Sequence, residues 1–323
     1  MSEKILDVRN LKKYFPTKKG LLHAVDDISF TIEKGSTMGL VGESGCGKST
    51  VGRLILRLTE ATDGEIRFYG EDLRKFDKAK MRHARRKLQI VFQDPYASLD
   101  GRKSVFESIV EPLKVQRICQ NKREMEEKVY ELMETAGLAR RLANSYPHEL
   151  DGGRRQRVGI ARALALNPDF LVLDEPVSAL DVSIQAQVLN LMEELQEKFG
   201  LTYLFISHDL SVVKHISDEI AVMYLGKIME KASGRELFAH PFHPYTQALL
   251  SAVPIPSIDY HVERLVLEGD VPSPIDPPPG CRFAGRCQFC QDKCRREAPE
   301  LKELETGHYA ACHFPGDGSA RTV

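Results

Sequence analysis

The 323-residue sequence lacks the features that mark membrane-spanning, secreted and strongly charged proteins. No apolar run approaches the length of about 20 residues that a membrane-spanning helix needs, and the N-terminus has no signal-peptide pattern. Neither sign of charge is in excess, since 45 basic and 46 acidic residues give a net charge of −1. The overall charge therefore provides no attraction to nucleic acid or to an acidic membrane surface. We expect a protein made and kept in the cytoplasm, without a nucleic-acid partner.

A glycine-rich segment, GESGCGKST at residues 42–50, matches the pattern of a phosphate-binding loop. It lies between a strand-like run, Thr37–Val41, and a helix-like stretch, Thr50–Leu58. Glycines let the backbone N–H groups point at phosphate oxygens, and the helix N-terminus adds a positive end. Lys48 can reach the outer phosphates of a nucleoside triphosphate, and the Ser49 hydroxyl can ligate Mg²⁺. The predicted nucleotide-binding residues of this loop are Gly42, Ser44, Gly45, Cys46, Gly47, Lys48, Ser49 and Thr50.

Two adjacent carboxylates follow a continuous apolar strand, Phe170–Leu173. Asp174 is placed to hold Mg²⁺ through its water molecules, and Glu175 can polarise the water that attacks the γ-phosphate. Gln93 follows another strand and can reach the metal or the attacking water. His208 ends a further strand and can contact the γ-phosphate. Glu175, His208 and Gln93 are therefore the candidate catalytic residues, and Ser49, Gln93 and Asp174 the candidate Mg²⁺ ligands.

The pattern of apolar residues predicts an α/β fold in several parts. A parallel-sheet core is joined by an antiparallel N-terminal sheet and by an inserted helical subdomain at about residues 95–166. We predict strands over Ala24–Ile32, Glu65–Tyr69, Leu88–Phe92, Phe170–Leu173 and Leu201–Ile206, and helices over Lys122–Leu138, Arg154–Ala165 and Ile184–Phe199. A proline-rich stretch, residues 271–280, leads into a cysteine cluster. We therefore predict a main domain, residues 1–255, and a small C-terminal module, residues 256–323.

Together these motifs resemble the ATP-binding-cassette (ABC) ATPases over essentially residues 3–255. The matching elements, in the family order, are the phosphate loop, Gln93 as the Q-loop, the signature region 150–157, Asp174 with Glu175, the D-loop Ser178–Asp181 and the switch His208. The resemblance implies a P-loop core with a RecA-like sheet that hydrolyses ATP. It also implies a head-to-tail dimer with two ATP sites, each joining one subunit's phosphate loop to the other subunit's signature. The contacts it assigns to the nucleotide include Asp151, Gly152, Gly153 and Asp181.

By the same resemblance, an aromatic residue near the N-terminus stacks on the adenine ring. Phe15 is the preferred candidate, and Tyr14 is the alternative. Either ring could instead belong to the core of the sheet.

The signature departs from the family pattern L-S-G-G-Q, because residues 150–154 read LDGGR. In the family the serine donates a hydrogen bond to the γ-phosphate across the dimer. An ionised Asp151 cannot donate, and it brings a negative charge near a negative ligand. Arg154 could partly neutralise Asp151, or Asp151 could simply cap the helix in a site that tolerates it. We expect the ATP site completed by this signature to be weakened, which favours a heterodimer with an intact partner.

The C-terminal third resembles the ATPases of dipeptide and oligopeptide importers, in residues 243–254 and 271–283. Residues 182–187, 223–226 and 251–256 are more similar to the second ATPase of the pair that such importers carry. The resemblance implies a peripheral subunit on the cytoplasmic face of the cell membrane. Its partners would be a homologous ATPase, two transmembrane permease subunits and, indirectly, an external peptide-binding protein. Alternatives are import of nickel, opine or glutathione, a soluble ABC ATPase acting on nucleic acid or ribosomes, and a sensor with a degenerate cassette.

Five of the 7 cysteines follow the proline-rich stretch, at positions 281, 287, 290, 294 and 312. Structural disulfides are not expected, because cytoplasmic thiols stay reduced. Four thiolates could hold either Zn²⁺ or an iron–sulfur cluster, and the residues alone leave both open. The importer resemblance implies a [4Fe–4S] cluster on Cys281, Cys287, Cys294 and Cys312, with Cys290 as an extra thiol. The basic residues that could offset its negative charge are Arg282, Arg286, Lys293, Arg295 and Arg296.

Overall fold

A computed structural model describes residues 3–253, 265, 267 and 269–316. The predicted domain boundary between residues 255 and 256 lies outside the described residues, as do residues 254–256 of the importer-like stretch. The chain divides into two compact units. The first contains residues 33–36 and 75–206, and the second contains residues 3–32, 37–74 and the chain from residue 207 onward. This grouping places the C-terminal module with the N-terminal sheet, and the predicted two-domain division stays a prediction.

The strands are β1 (Lys4–Thr17), β2 (Gly20–Glu33), β3 (Thr37–Val41), β4 (Asp63–Phe68), β5 (Glu71–Asp72), β6 (Leu88–Val91), β7 (Phe170–Asp174), β8 (Thr202–Ser207), β9 (Glu219–Tyr224), β10 (Lys227–Ser233), β11 (Lys302–Glu305) and β12 (His308–Ala310). The α-helices are α1 (Lys48–Ile55), α2 (Lys78–Lys87), α3 (Pro95–Ser98), α4 (Val105–Gln116), α5 (Lys122–Thr135), α6 (Gly152–Leu164), α7 (Val182–Phe199), α8 (Leu210–Ile216), α9 (Gly234–Ala239), α10 (Pro244–Ser251) and α11 (Asp292–Arg296). Short 3₁₀ helices cover Leu73–Lys75, Arg140–Leu142 and Pro147–Glu149.

The first unit contains three parallel strands and most of the helices. β7 pairs in parallel with β6 on one side and with β8 on the other. Every residue of β7 and β8 is buried, as expected for parallel strands covered on both faces. The region between β6 and β7 is helical, and α4 begins with a capping box in which Ser104 and Glu107 satisfy each other's backbone N–H groups. An inserted helical region therefore occupies the predicted stretch of sequence.

The second unit contains an antiparallel sheet and a set of mixed strands. In the antiparallel sheet the strand order is β2-β1-β4-β5, with Leu6 of β1 opposite Phe68 of β4. Alternate residues of β2, such as Ile28, Phe30 and Ile32, are buried, as expected for a strand with one covered face. The other strands of this unit follow the order β11-β12-β10-β9-β3, with β3 parallel to β9. The α/β class predicted from the sequence is confirmed.

The C-terminal module pairs with the rest of the second unit through its hairpin. β11 and β12 are antiparallel, and β12 pairs with β10 so that Ala310 lies opposite Glu230. The hairpin turns at Gly307, whose φ of 75° falls in the left-handed region that glycine enters readily. In the part of the chain that the structure describes, no helix has the length and apolar character to cross a membrane.

Candidate nucleotide-binding site

The phosphate loop connects the end of β3 to the start of α1 and curls at three glycines. Gly42, Gly45 and Gly47 have φ values of 152°, 79° and 107°, all in the region that favours glycine. A Cβ atom on Gly47 would lie 2.1 Å from the carbonyl oxygen of Ala24, so a larger residue there would collide with β2. The loop thus adopts the backbone geometry that phosphate cradles require, and its residues' contacts with a nucleotide stay predictions.

Lys48 lies over the loop that precedes it. Its side chain is buried, and its Nζ donates to the carbonyl oxygens of Gly42 at 2.7 Å and Glu43 at 3.0 Å. These bonds hold the ammonium group inside the curl of the loop, where its charge can meet a bound phosphate. Cys46, also buried, lies with its Sγ 3.8 Å from the same Nζ. Burial raises the pKa of the Cys46 thiol, so this thiol stays protonated at neutral pH.

The two aromatic candidates for adenine stacking differ in their surroundings. The Tyr14 ring stacks on His23 with centroids 4.1 Å apart, and its hydroxyl donates to Asp26 at 2.5 Å. Phe15 is half-buried, and the Nζ of Lys13 lies 4.6 Å from its ring centroid. Tyr14 is thus held within its own sheet by both its ring and its hydroxyl. This geometry favours Phe15 as the ring that stacks on adenine, which stays a prediction.

The catalytic candidates of the first unit meet at the end of β7. Asp174 is buried as the last residue of that strand, and Glu175 follows it with a φ of 48°. A non-glycine residue in this region is strained, and such strain is concentrated at functional sites. The backbone N–H of Glu175 donates to Ile206 at 2.9 Å, and the Nε2 of Gln93 donates to the Glu175 carboxylate at 2.8 Å. The structure therefore brings Gln93 and Glu175 together, so that the amide can orient the carboxylate.

The remaining motif residues lie at the ends of strands and helices. His208 follows β8 and is exposed, and Asp209 beside it caps α8 through the Ser211 backbone N–H at 2.8 Å. Asp181 is the N-cap residue of α7, and the Ser178 hydroxyl donates to the Glu175 carbonyl at 3.1 Å. The phosphate loop and His208 belong to the second unit, whereas Gln93, Asp174 and Glu175 belong to the first.

The signature begins α6, with Asp151 as its N-cap. The carboxylate accepts from the Arg154 backbone N–H at 2.7 Å, and the Arg154 guanidinium lies 3.4 Å from it. Both predicted roles of this pair, the cap and the partial neutralisation, thus occur in the geometry. About half of each side chain is exposed, so the ion pair contributes at most about 1 kcal/mol.

The comparisons with known proteins agree with one another. Residues 25–178 match the family model "ABC transporter", and residues 229–294 match "Oligopeptide/dipeptide transporter, C-terminal region". The oligopeptide transport ATP-binding protein AppF of Bacillus subtilis is 54% identical over 322 residues, which cover 97% of this chain and 98% of AppF. The chain belongs to the ABC transporter ATPases. Within this family it belongs with the oligopeptide transport ATP-binding proteins.

Other relatives of this ABC ATPase support the same assignment. The oligopeptide transport ATP-binding protein OppF of Bacillus subtilis is 51% identical over 313 residues, covering 97% of each chain. Among solved structures, the ATP-binding cassette MJ0796, in a dimeric post-hydrolysis state with ADP and Pi, is 29% identical with a TM-score of 0.66. That match covers 71% of this chain and 99% of MJ0796. The predicted P-loop ABC fold and the ATPase activity are thereby confirmed.

Four cysteines of the ABC ATPase's C-terminal module line one small cavity: Cys281, Cys287, Cys294 and Cys312. Cys290 is not among its lining residues. Burial raises the pKa of Cys281 and of Cys312 to about 11, so metal binding there would have to release their protons. Among the described residues, however, no three or more His, Cys, Asp or Glu side chains are arranged to hold a metal ion. No metal site is therefore found among the described residues, although the four thiols of the predicted iron–sulfur or zinc site line one cavity.

Two ion pairs that no sequence pattern predicts join the cysteine-rich module of this ABC ATPase to the phosphate loop and to β2. Arg286 pairs with Glu43 of the phosphate loop at 2.7 Å, and Arg282 pairs with Asp26. The sequence indicates for both arginines only a role in offsetting the negative charge of the cysteines. No local signal identifies their partners, which lie more than 240 residues earlier in the chain.

Proposed function

We propose that this ABC ATPase powers the import of dipeptides or oligopeptides through a membrane permease pair. The observation that carries the proposal is the match of residues 229–294 to the oligopeptide/dipeptide transporter C-terminal region, together with relatives named for oligopeptide transport. In this proposal the chain sits peripherally on the cytoplasmic face of the membrane. Peptide reaches the permease from an external binding protein and does not contact this chain.

The proposed cycle uses the residues of the two units in separate roles. Lys48 and the N–H groups of the phosphate loop bind the outer phosphates of ATP, and Phe15 stacks on the adenine. Mg²⁺, which Ser49, Gln93 and Asp174 would hold, neutralises phosphate charge during transfer. Glu175, oriented by Gln93, polarises the attacking water, and His208 contacts the γ-phosphate. Closure and reopening of the ATPase dimer then drive the permease between inward- and outward-facing states.

We also propose that the functional ATPase is a heterodimer with a homologous subunit. The support is chemical, because Asp151 stands where the family has a serine donor and carries a charge of the wrong sign for a phosphate neighbour. A homodimer would contain this defect in both ATP sites. A partner with an intact signature would leave the site built on this chain's Lys48 and Glu175 competent.

A [4Fe–4S] cluster on Cys281, Cys287, Cys294 and Cys312 is proposed for the C-terminal module. Its support is the common cavity that these thiols line. A cluster of four irons separates its thiolates more widely than one Zn²⁺ ion does, and Cys₄ is the usual ligand set for it. When bound, such a cluster would cross-link residues distant in sequence and stabilise the module.

The function is tested with the assembled transporter in lipid vesicles, with its external binding protein supplied. We expect ATP hydrolysis to be stimulated by oligopeptides, and the Glu175→Gln variant to bind ATP but to lose at least about 99% of turnover. Nickel, an opine and glutathione are offered in parallel as cargo. Stimulation by one of these and not by peptide would overturn the peptide assignment, and stimulation by ribosomes without a permease would overturn the transport function itself.

A further inference from the structure

The segment Cys281–Cys287, here called the cysteine loop, is held in a fixed shape by its own backbone. The Ala284 N–H donates to the Cys281 carbonyl at 3.1 Å, and the Arg286 N–H donates to the Phe283 carbonyl at 3.0 Å. Phe283, at the centre of the loop, is 2% exposed. Its ring lies 5.4 Å from Tyr224 and 5.3 Å from Tyr245, centroid to centroid. The two arginines on either side of Phe283 are thereby placed by a rigid anchor.

Arg286 reaches the phosphate loop. Its Nη1 lies 2.7 Å and 3.0 Å from the two carboxylate oxygens of Glu43. The backbone N–H of Glu43 donates to the Tyr245 hydroxyl at 3.0 Å, so this residue is held at both its side chain and its backbone. The carbonyl of Glu43 in turn accepts from the Nζ of Lys48 at 3.0 Å. A chain of direct contacts thus runs from the cysteine loop to the lysine that meets the phosphates.

Arg282 reaches strand β2. Its guanidinium pairs with Asp26, which also accepts from the Tyr14 hydroxyl at 2.5 Å. Tyr14 precedes Phe15, the candidate for adenine stacking. The backbone N–H of Asp26 donates to Gly226 at 2.8 Å, and the Gly226 N–H donates to Cys46 at 2.9 Å. This second series of contacts therefore ends at two places: at Tyr14, next to the adenine candidate Phe15, and at Cys46 of the phosphate loop.

A contribution to the stability of the fold does not by itself explain these two ion pairs. The side chains of Arg282 and Arg286 are 8% and 9% exposed. Within the described part of the chain, Nε and Nη1 of Arg282 and Nε of Arg286 are buried without a hydrogen-bond partner. Each such donor costs free energy, and a buried ion pair is often no more stable than apolar residues of similar volume. What the pairs provide is a fixed geometry for Glu43 and for Asp26 with Tyr14.

We propose that Arg282 and Arg286 are positioning residues for ATP binding. Through these two arginines the cysteine loop sets the shape of the nucleotide site. The inference depends on the proposed role of the phosphate loop and Phe15 in binding ATP. It deepens that role, because it makes nucleotide affinity depend on the C-terminal module, which lies outside the motifs predicted to bind the nucleotide.

The test measures Mg²⁺·ATP binding to the full chain by equilibrium dialysis, and KM and kcat for ATP in the assembled transporter. Arg286→Ala and Arg282→Ala should raise Kd and KM by about 2- to 30-fold and leave kcat unchanged. Glu43→Gln removes the same ion pair from outside the cysteine loop and should give the same shift as Arg286→Ala. Arg286→Lys, which keeps the charge, should recover part of the affinity. The matched control is Lys302→Ala, since Lys302 is an exposed basic residue of the same module.

The outcomes separate this inference from the proposed function. If Lys48→Ala loses ATP binding while the arginine variants and Glu43→Gln bind like Lys302→Ala, the positioning role is wrong and the ATP site stands. A fall in kcat with KM unchanged would equally overturn the positioning role. If Lys48→Ala binds ATP normally, the proposed site itself is wrong. Should Arg286→Ala fail to fold, Glu43→Gln and Arg286→Lys still decide the question.

Discussion

Asp26 shows how one carboxylate can be kept ionised inside a protein. Burial by itself would raise its pKa, but the hydrogen bond from Tyr14 and the charges of Lys227 and Arg282 lower it to about 2. The pKa of an unfolded aspartate is about 3.9. Because the folded value is the lower one, Asp26 stabilises the fold above pH ~4, and this stabilisation is lost as the pH falls towards about 2.

We predict that Asp26→Asn lowers the free energy of unfolding by about 2 kcal/mol at pH 7 and by about half as much near pH 3. Urea unfolding at pH 7, 5 and 3 measures the difference from the unmodified chain. Asp27→Asn is the matched control, because Asp27 is exposed and its φ of 62° suits asparagine. Equal losses in both variants, or a loss at Asp26 that does not change with pH, would contradict the prediction.

A second single residue, Asp151, is predicted to affect catalysis and not stability. Serine caps helices as well as aspartate does, so Asp151→Ser should leave α6 intact while restoring a hydroxyl donor. In the assembled ATPase pair one site is already competent, so we expect repair of the other site to raise total ATP turnover by up to about 2-fold. Asp151→Asn, which removes the charge without adding a hydroxyl, separates the two causes. Unchanged turnover in the serine variant would count against a weakened site.

At the scale of the element, the side chain of Glu230 in β10 links three parts of the second unit through hydrogen bonds. Its carboxylate is fully buried and accepts from the backbone N–H groups of Phe242 at 2.7 Å and His243 at 2.9 Å. The Nε2 of His308, in β12, lies 2.7 Å from the same carboxylate. One side chain thus joins β10, the segment entering α10 and the C-terminal hairpin.

Removing this carboxylate should leave three buried polar groups without a partner. We predict that Glu230→Ala lowers the free energy of unfolding by about 3–5 kcal/mol. Glu230→Gln keeps one acceptor oxygen and should cost less. Chemical denaturation followed by circular dichroism measures both. If Glu230→Ala loses no more free energy of unfolding than Glu230→Gln, these hydrogen bonds do not contribute to stability as predicted.

At the scale of the whole molecule, the metal content of the purified protein tests whether the C-terminal module binds the proposed iron–sulfur cluster. Anaerobically purified protein should carry about four irons and four sulfides per chain and absorb visible light. Cys281→Ser should lower the iron content, whereas Cys290→Ser, outside the cavity, should not. A colourless preparation that holds zinc without iron or sulfide would overturn the cluster.

The described fold follows the predicted elements closely where the pattern is local. α5 was expected over Lys122–Leu138 and covers Lys122–Thr135, and β7 was expected over Phe170–Leu173 and extends one residue further, to Asp174. The β11–β12 hairpin was not predicted. All four residues of β11 (KELE) are exposed, so the strand has no apolar face to reveal it.

By itself, the sequence determined the family, the phosphate loop and the order of the catalytic motifs. These depend on short-range rules, such as glycine where φ is positive and apolar residues at the period of a strand or helix. Only the tertiary structure decided that Arg286 pairs with Glu43, that Arg282 pairs with Asp26, and that four thiols share one cavity. The physical reason is that a charge or a thiol is specified by its own residue, whereas its partner is chosen by how distant segments pack.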